Sequence, residues 1–323
     1  MGQGLNLPRT TIICSSAAAL LVLSGCAGQK RIVCRQVRFP PAQTGTVRVM
    51  TFNIRTATAW WDGGNRWSKR KQIVVDTLAD NAADVIGLQE TLDFQLEQIA
   101  KALPQYSTYA VGRNNGKQKG ESCAILYRKD RLELLDSGTF WFSNTPSKPG
   151  SKDWGNIFPR ICSWVHLVDK ADKTGFYVYN VHLDNWSQNS RKKSVRLLAA
   201  RISARKTQDP FIVLGDFNMG LDNPAMRYLQ EVGYESACRR MVDAWVSANF
   251  GEKGVGTYHR FTGAASCPRI DHIETSEYVR VLEAKTDQRV LNGRYPSDHF
   301  PVTATILLRT TDYTSLRTWA IKL

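Results

Sequence analysis

From residue 47 onward the chain alternates short apolar runs with amphipathic stretches. VRVMTFNI reads as a strand, and RWSKRKQIVVDTLADN places Ile73, Val74 and Leu78 at helical spacing. ADVIGLQE reads as a short buried strand and TLDFQLEQIAKAL as a second helix. ESCAILYR and the run from Leu132 to Phe142 read as paired strands, with RICSWVHLV and GFYVYNVHL as two more. A long helix covers about Ser190 to Lys206, the strand PFIVLGDFN follows, and RIDHIETS, YVRVLEAKTD and PVTATILL close the series. Many strands arrive in hairpin-like pairs, while helices separate only some of them. That pattern predicts an α/β fold of packed sheets with outer helices, not a simple doubly wound parallel sheet.

The polar residues at the strand ends carry the chemistry. VMTFN ends in Asn53, VIGLQE in Glu90, VYNVHLD in His182 and Asp184, and FIVLGDFN in Asp216 and Asn218. RIDHI carries Asp271, and Asp298–His299 precede the last strand. Taken singly, each reads as a cap or turn residue. SDHF after Pro296 is either a polar turn or a histidine base with its acid. So many deliveries in one chain point to convergence on one polar site. Asn53, Glu90 and Asp271 offer hard oxygen ligands that suit Mg²⁺ or Mn²⁺. Asp216 and Asn218 share a face of an extended strand and could hold a nucleophilic water and a phosphoryl oxygen, with His182 donating to another. No Ser or Cys has the context of an activated nucleophile, so attack by water is expected.

The N-terminal part changes the picture of where the chain works. Arg9 and the apolar run IICSSAAALLVL, too short to span a bilayer, end in LSGC at Cys26. Residues 1–26 resemble a bacterial lipoprotein signal, cut before Cys26 with that thiol lipidated. This implies a lipid-anchored protein of the bacterial cell envelope, and Ala27 after the Cys leans toward the outer membrane where the cell has one. Residues 27–46, basic and closed by a Pro pair, read as a tether whose Lys30, Arg31, Arg35 and Arg38 either meet anionic lipid headgroups or stay solvated. Residues 47–310 form the domain and 311–323 a tail. Removing Arg9 leaves 42 of the 43 Lys and Arg against 29 Asp and Glu, a net +13. Seven cysteines become five once Cys14 is removed and Cys26 modified. Cys123 and Cys162 belong to buried strands, and Cys238 and Cys267 flank a loop-rich region where they could pair. No clustered Cys/His pattern supports a zinc site.

In order, TFNIR, GLQE, FPRICSW, NVHLD, LGDFN, RIDHI and SDHFPV span residues 47–308. This ordered set resembles the endonuclease/exonuclease/phosphatase superfamily (deoxyribonuclease I-like). The resemblance implies a four-layer α/β sandwich, two mixed sheets face to face with helices outside. It also implies Glu90 as the principal metal ligand, with Asn53 assisting and Asp298 among both the metal-binding and the catalytic groups. Asp216 then orients the attacking water and Asn218 contacts the phosphate. His299 is the catalytic histidine, paired with Asp271 or Asp298, and His182 supports the pentavalent phosphorus. A bacterial subgroup shares W-x-x-R-K near residue 67, GESCAILYRKDRLELLDSGTFWFS and HLDNWSQNSRKKS. There Arg160 supports the phosphate, while Asp184 and Arg191 read the adjacent part of the substrate. The bland alternatives are a strand-end salt bridge for Arg160 and a helix cap for Asp184.

Substrate class stays open at this point. The positive charge suits polyanions, and Lys69, Arg70, Lys71, Arg113, Lys117, Lys119, Arg191, Lys192 and Lys193 are candidates for a basic groove. Trp60, Trp61 and Trp67 either stack on a base or sugar or staple their loop. The expected activity is hydrolysis of a phosphodiester, nuclease-type on nucleic acid or a nucleotide, or of a phosphomonoester, by a monomer. Phospholipid headgroups and small sugar or nucleotide phosphates are the alternative substrates. A non-catalytic phosphate-binding lipoprotein is disfavoured, because a decayed site should have lost some of these residues.

Overall fold

The computed structural model describes Met1 and residues 32–308, apart from 232–239, 253 and 266. The expected signal peptide with Cys26, Cys238 and the tail from 311 lie outside these residues. The elements are β1 (Thr46–Asn53), α1 (Trp67–Asn81), β2 (Val85–Thr91), α2 (Asp93–Ala102), β3 (Tyr106–Tyr109), β4 (Ser122–Arg128), β5 (Leu132–Trp141) and β6 (Ile161–Asp169). There follow β7 (Gly175–His182), α3 (Gln188–Ser203), β8 (Phe211–Asp216), α4 (Pro224–Glu231), β9 (Met241–Asp243), α5 (Ala244–Ala248), β10 (Asp271–Ser276), β11 (Arg280–Thr286) and β12 (Val302–Leu307).

The apolar strands lack strict alternation because both of their faces are covered. On β1, Val47 and Val49 join the core between the sheets, while Met50 and Phe52 pack with Val74 and Leu78 of α1. On β8, Ile212 and Leu214 point into the same central core and Val213 meets Leu198 of α3. Two six-stranded sheets result, ordered β11-β12-β1-β2-β4-β3 and β5-β6-β7-β8-β10-β9. Each contains one parallel pair, β1 with β2 and β7 with β8, among antiparallel neighbours. With α1 and α2 outside the first sheet and α3 and α4 outside the second, this is the four-layer α/β sandwich.

The sheets approach closely below the site. A Cβ at Gly87 would lie 1.9 Å from Leu214 Cδ1 and 3.0 Å from Asn180 Cγ, so a larger residue would displace side chains of the facing sheet. Beside it Gln89 Nε2 donates to Asn180 Oδ1 at 2.7 Å, and Asn180 Nδ2 donates to the carbonyls of Leu88 and Ala124. This buried amide pair ties the two sheets together, although Gln89 Oε1 finds no partner among the described residues.

Residues 32–45, the described part of the segment expected as a tether, lie along the domain. Val37 is buried with Ile32 and Phe39 on the α1–α2 side. Arg35 N donates to Ala102 O at 2.8 Å, and the Arg35 side chain reaches Asp80 at 2.9 Å. Cys123 and Cys162 are buried free thiols, and Cys267 is also free. Among the described residues no helix is long and apolar enough to cross a membrane.

Candidate active site

The inner-face residues of three adjacent strands end in one polar row. Cross-strand register sets His182 of β7 opposite Asp216 of β8, and Asp216 opposite Asp271 of β10. Asn53 closes the inner face of β1 on the facing sheet, and its Nδ2 donates to Asp216 Oδ2 at 3.0 Å and to Glu90 Oε1 at 3.2 Å. Its Oδ1 is turned away and accepts from Arg55 N at 3.0 Å. Asn53 thus presents amide hydrogens to the acids here, where the sequence reading expects a ligand oxygen.

Glu90 needs a distorted strand to join them. By parity it should follow Ile86 and Leu88 toward the helices. Instead the pairing of β2 with β4 shifts between Leu88 and Thr91, and Glu90 takes φ of 57°, which redirects its side chain. The carboxylate accepts from Thr56 N at 2.9 Å. Burial alone would raise its pKa, but this N–H, Arg55, His299 and Asn53 together hold it below the usual range.

His299 arrives from the segment before β12. Main-chain bonds from His259 N to Asp298 O and from Phe300 N to Thr257 O, both 2.8 Å, fix that segment. His299 Nδ1 lies 2.8 Å from Asp271 Oδ2, so its acid comes from β10 and not from the adjacent Asp298. Asp298 turns to Arg55, at 3.6 Å, and accepts from Ser297 Oγ at 3.2 Å. Asp216 Oδ2 is the hub, 3.6 Å from His182 Nε2 and 3.9 Å from His299 Nε2. Asn218, with φ of 53°, curls back so that its N donates to Asp216 Oδ1 at 2.9 Å, while its Nδ2 donates to Leu183 O.

Protonation follows from this crowding. Burial and the neighbouring Asp271 push Asp216 up to about 7. Burial would lower His299, but Asp271, Asp216 and Asp298 raise it well above its ordinary value. His182 is held well below its ordinary value by burial, with Arg160, Arg113 and His299 adding to the effect. A charged and a neutral imidazole therefore flank one carboxyl.

The remaining expected site residues form a brace at the rim. Arg160 Nε lies 3.3 Å from Asp184 Oδ2, and Arg160 Nη2 donates to Asn185 Oδ1. Asp184 Oδ1 accepts from Trp186 N and Ser187 N in the turn before α3, whose N-cap is Ser187, so the salt-bridge role is present and the cap falls to Ser187. Arg191 donates to Asp184 O at 2.7 Å and to Gln188. Three further expectations change. Arg70, expected in a basic groove, is 1% exposed and ties the carbonyls of Asn65, Ile54, Arg55 and Pro296 together under the site. Trp67 is buried in α1, whereas Trp60 and Trp61 remain exposed. Arg113 is paired with Glu121 at 2.7 Å.

A profile of the Endonuclease/Exonuclease/phosphatase family matches residues 50–299. The chain belongs to the endonuclease/exonuclease/phosphatase family. A solved family protein from Bacteroides thetaiotaomicron is similar at 30% identity with TM-score 0.77, covering 83% of this chain and 97% of that one. The mannosyl-6-phosphatase of the same organism is similar at 31% identity with TM-score 0.74, covering 80% of this chain and 99% of that one. An uncharacterized protein of Acanthamoeba polyphaga mimivirus is 29% identical over 161 residues, 47% of this chain and 59% of that protein.

A divalent cation fits the donor set. Asp271 Oδ1 is buried without a hydrogen-bond partner and Asp271 stands opposite Asp216 in the sheet register, while the charged His299 beside them offers no ligand atom. Glu90 adds an ionised carboxylate nearby. Adjacent buried carboxylates with an orphaned oxygen call for positive charge, and hard oxygen donors favour Mg²⁺ or Mn²⁺.

Proposed function

We propose that the chain is a Mg²⁺- or Mn²⁺-dependent phosphoesterase that hydrolyses its substrate by direct attack of water. The observation carrying this reading is the single hub at Asp216 Oδ2, shared by Asn53, His182 and His299. Asp216, opposite Asp271 and within 3.9 Å of both histidines, is placed to orient the attacking water and take its proton. His299, positioned and kept charged by Asp271, faces developing negative charge on the phosphoryl oxygens through Nε2. His182 stays neutral and donates one hydrogen bond to the same group. Glu90 and Asp271, with Asp298 beside them, would hold the cation, which when bound offsets phosphate charge and polarises the ester.

Similarity to a mannosyl-6-phosphatase supports a small phosphomonoester over a polynucleotide. We further propose that Cys26 carries a lipid that tethers the enzyme to the cell envelope. The test is a panel of hexose phosphates, nucleotides, oligonucleotides, phospholipids and an aryl phosphate, assayed with Mg²⁺, Mn²⁺ or chelator. Hydrolysis of at least one class that disappears with chelator is expected. Undiminished hydrolysis in chelator, or none of any class with either metal, would overturn the reading.

A further inference from the structure

The segment before β1 meets the domain close to the mouth of the site. Val33 N donates to Gln72 Oε1 at 2.6 Å, and Arg35 lies 3.5 Å from Asp76 and 2.9 Å from Asp80. Arg35 N is held by Ala102 O at 2.8 Å, and Val37 is buried. Residues 33–35 therefore track one face of α1 from Gln72 toward Asp80, entering from the helix end nearest the site. One turn before Gln72 on that face stands Lys69, and Arg66 lies just ahead of the helix. Gln72 and Arg66 are about 9 Å apart along the axis. Arg66 Nε donates to Trp60 O at 3.0 Å, which joins this end of α1 to the loop that follows β1.

Trp60 and Trp61 project from that loop, 72% and 62% exposed. The loop is fastened to the site. Arg55 donates to both oxygens of Asp62 at 3.0 Å, lies 5.8 Å from the Trp61 ring centroid and stands 3.6 Å from Asp298. Arg294 Nη1 holds its far side by donating to Gly64 O at 2.6 Å. Arg66, Lys69 and Arg294 are exposed around the indoles. The acids of this end are neutralised: Asp62 by Arg55, and Asp76 and Asp80 by Arg35. Two adjacent exposed indoles ringed by cations have the composition of a surface that enters the headgroup layer of an anionic bilayer. The indole planes meet at 83°, so the pair offers no parallel clamp for a base or sugar ring.

We propose that the Trp60–Trp61 loop docks on an anionic lipid bilayer, so that the anchored enzyme holds the mouth of its site at the membrane surface. This goes beyond the phosphoesterase reading and rests on the lipid proposed at Cys26. Only residues 27–31 separate Cys26 from Ile32, and a fully extended chain spans at most about 22 Å between those two. Residues 33–37 are bonded to the domain and add no slack. A lipid on so short a lead keeps the bilayer within reach of the first turns of α1, where the indoles project. Lys30 and Arg31 on the lead add positive charge to the same approach.

The experiment places the lipidated full chain on vesicles of phosphatidylcholine with about 30 mol% phosphatidylglycerol. Tryptophan emission is compared between plain phosphatidylcholine and phosphatidylcholine brominated near the top of its acyl chains. Bromine is expected to quench roughly one-fifth of the emission, the share of Trp60 and Trp61 among nine tryptophans. The double variant Trp60→Ala with Trp61→Ala should still sediment with vesicles through its lipid and lose most of that quenching. Its kcat and KM on a soluble phosphoester should stay within about twofold of wild type. Trp60→Phe with Trp61→Phe keeps the apolar rings and identifies the quenched residues should the alanine pair fail to fold. Equal quenching in wild type and both variants, or none in a wild type that sediments, would overturn the docking and leave the anchor standing. A KM raised about tenfold or more in the alanine pair, without quenching in the wild type, would make the indoles a substrate platform and also overturn it. An unmodified Cys26 by mass spectrometry would remove the anchor and the docking together, with the phosphoesterase reading intact.

Discussion

Strand β10 carries two histidine–carboxylate clusters, one on each face. On the inner face Asp271 pairs with His299 at 2.8 Å beside Asp216. On the outer face His272 Nδ1 lies 3.0 Å from Asp243 Oδ2, with Glu274 completing the group. In both trios the ligand-type atoms lie within 4.8 Å of one another, and all six residues are buried. The difference is compensation. Arg269 grips both oxygens of Asp243 at 2.9 Å, and His272 Nε2 lies 3.0 Å from Met219 O. The outer cluster already contains its cation, and its histidine is engaged at both nitrogens. Among the described residues no Lys or Arg pairs with Asp216 or Asp271, and the positive charge of the inner cluster is His299 itself, while unpaired carboxylate oxygens occur in both clusters, Asp271 Oδ1 in one and both oxygens of Glu274 in the other. An acid–histidine pair is therefore not itself a signature of catalysis; one whose cation is a titratable histidine aimed at a shared carboxyl, and not a fixed arginine, is the better candidate.

The largest expected effect sharpens the inner side of the comparison. Asp216→Ala should lower turnover by about two to five orders of magnitude, because it removes the group that positions and deprotonates water. Its denaturation midpoint should hold or rise, since one of two crowded carboxyls is gone. Turnover within tenfold of wild type would break the assignment.

Asp243→Ala should do the reverse. Removing the carboxylate strands Arg269 in the core and should cost about 3–5 kcal/mol of stability by denaturant titration. A loss below roughly 1 kcal/mol would show that the outer cluster is not a brace.

Glu274→Gln gives the smallest and most pH-dependent change. Burial and Asp243 raise the Glu274 pKa well above its ordinary value. A carboxyl whose folded pKa is raised contributes stability below its unfolded pKa and loses it as pH rises through the folded one. Gln cannot ionise, so the variant should gain on wild type by about 1 kcal/mol in alkaline buffer, with the gain fading toward pH 4. A gain that grows on acidification would contradict this placement.

Much of the site was legible because strand parity is legible. Asn53, His182 and Asp216 each end an apolar strand and Asp271 opens one, and the register of the sheets brings these residues together. Three features were hidden. Glu90 reaches the site only through a bulge and a positive φ, which period-two reasoning places on the wrong face. The acid of His299 is a long-range partner, whereas sequence adjacency also offered Asp298. Arg70 sits on a helix with charged neighbours and reads as solvated, yet it meets four carbonyls that only the tertiary fold assembles. Among elements, β3, β9 and α5 have four, three and five residues, too short to establish a period. The Arg113–Glu121 pair could have been suspected from GESCAILYR, where an acid opens a buried strand, but its partner lies across a hairpin.

The most direct measurement sets His299→Ala beside His272→Ala, with turnover on the preferred phosphoester and the denaturation midpoint read on the same preparations. The account predicts that His299→Ala loses about two or more orders of magnitude in turnover with a midpoint near wild type, because its role lies in the transition state. It predicts that His272→Ala unfolds more readily by about 2 kcal/mol or more while its folded fraction turns over substrate within a few-fold of wild type. An active but destabilised His299→Ala protein, or an inactive and fully stable His272→Ala protein, would contradict the division of the two clusters into site and brace.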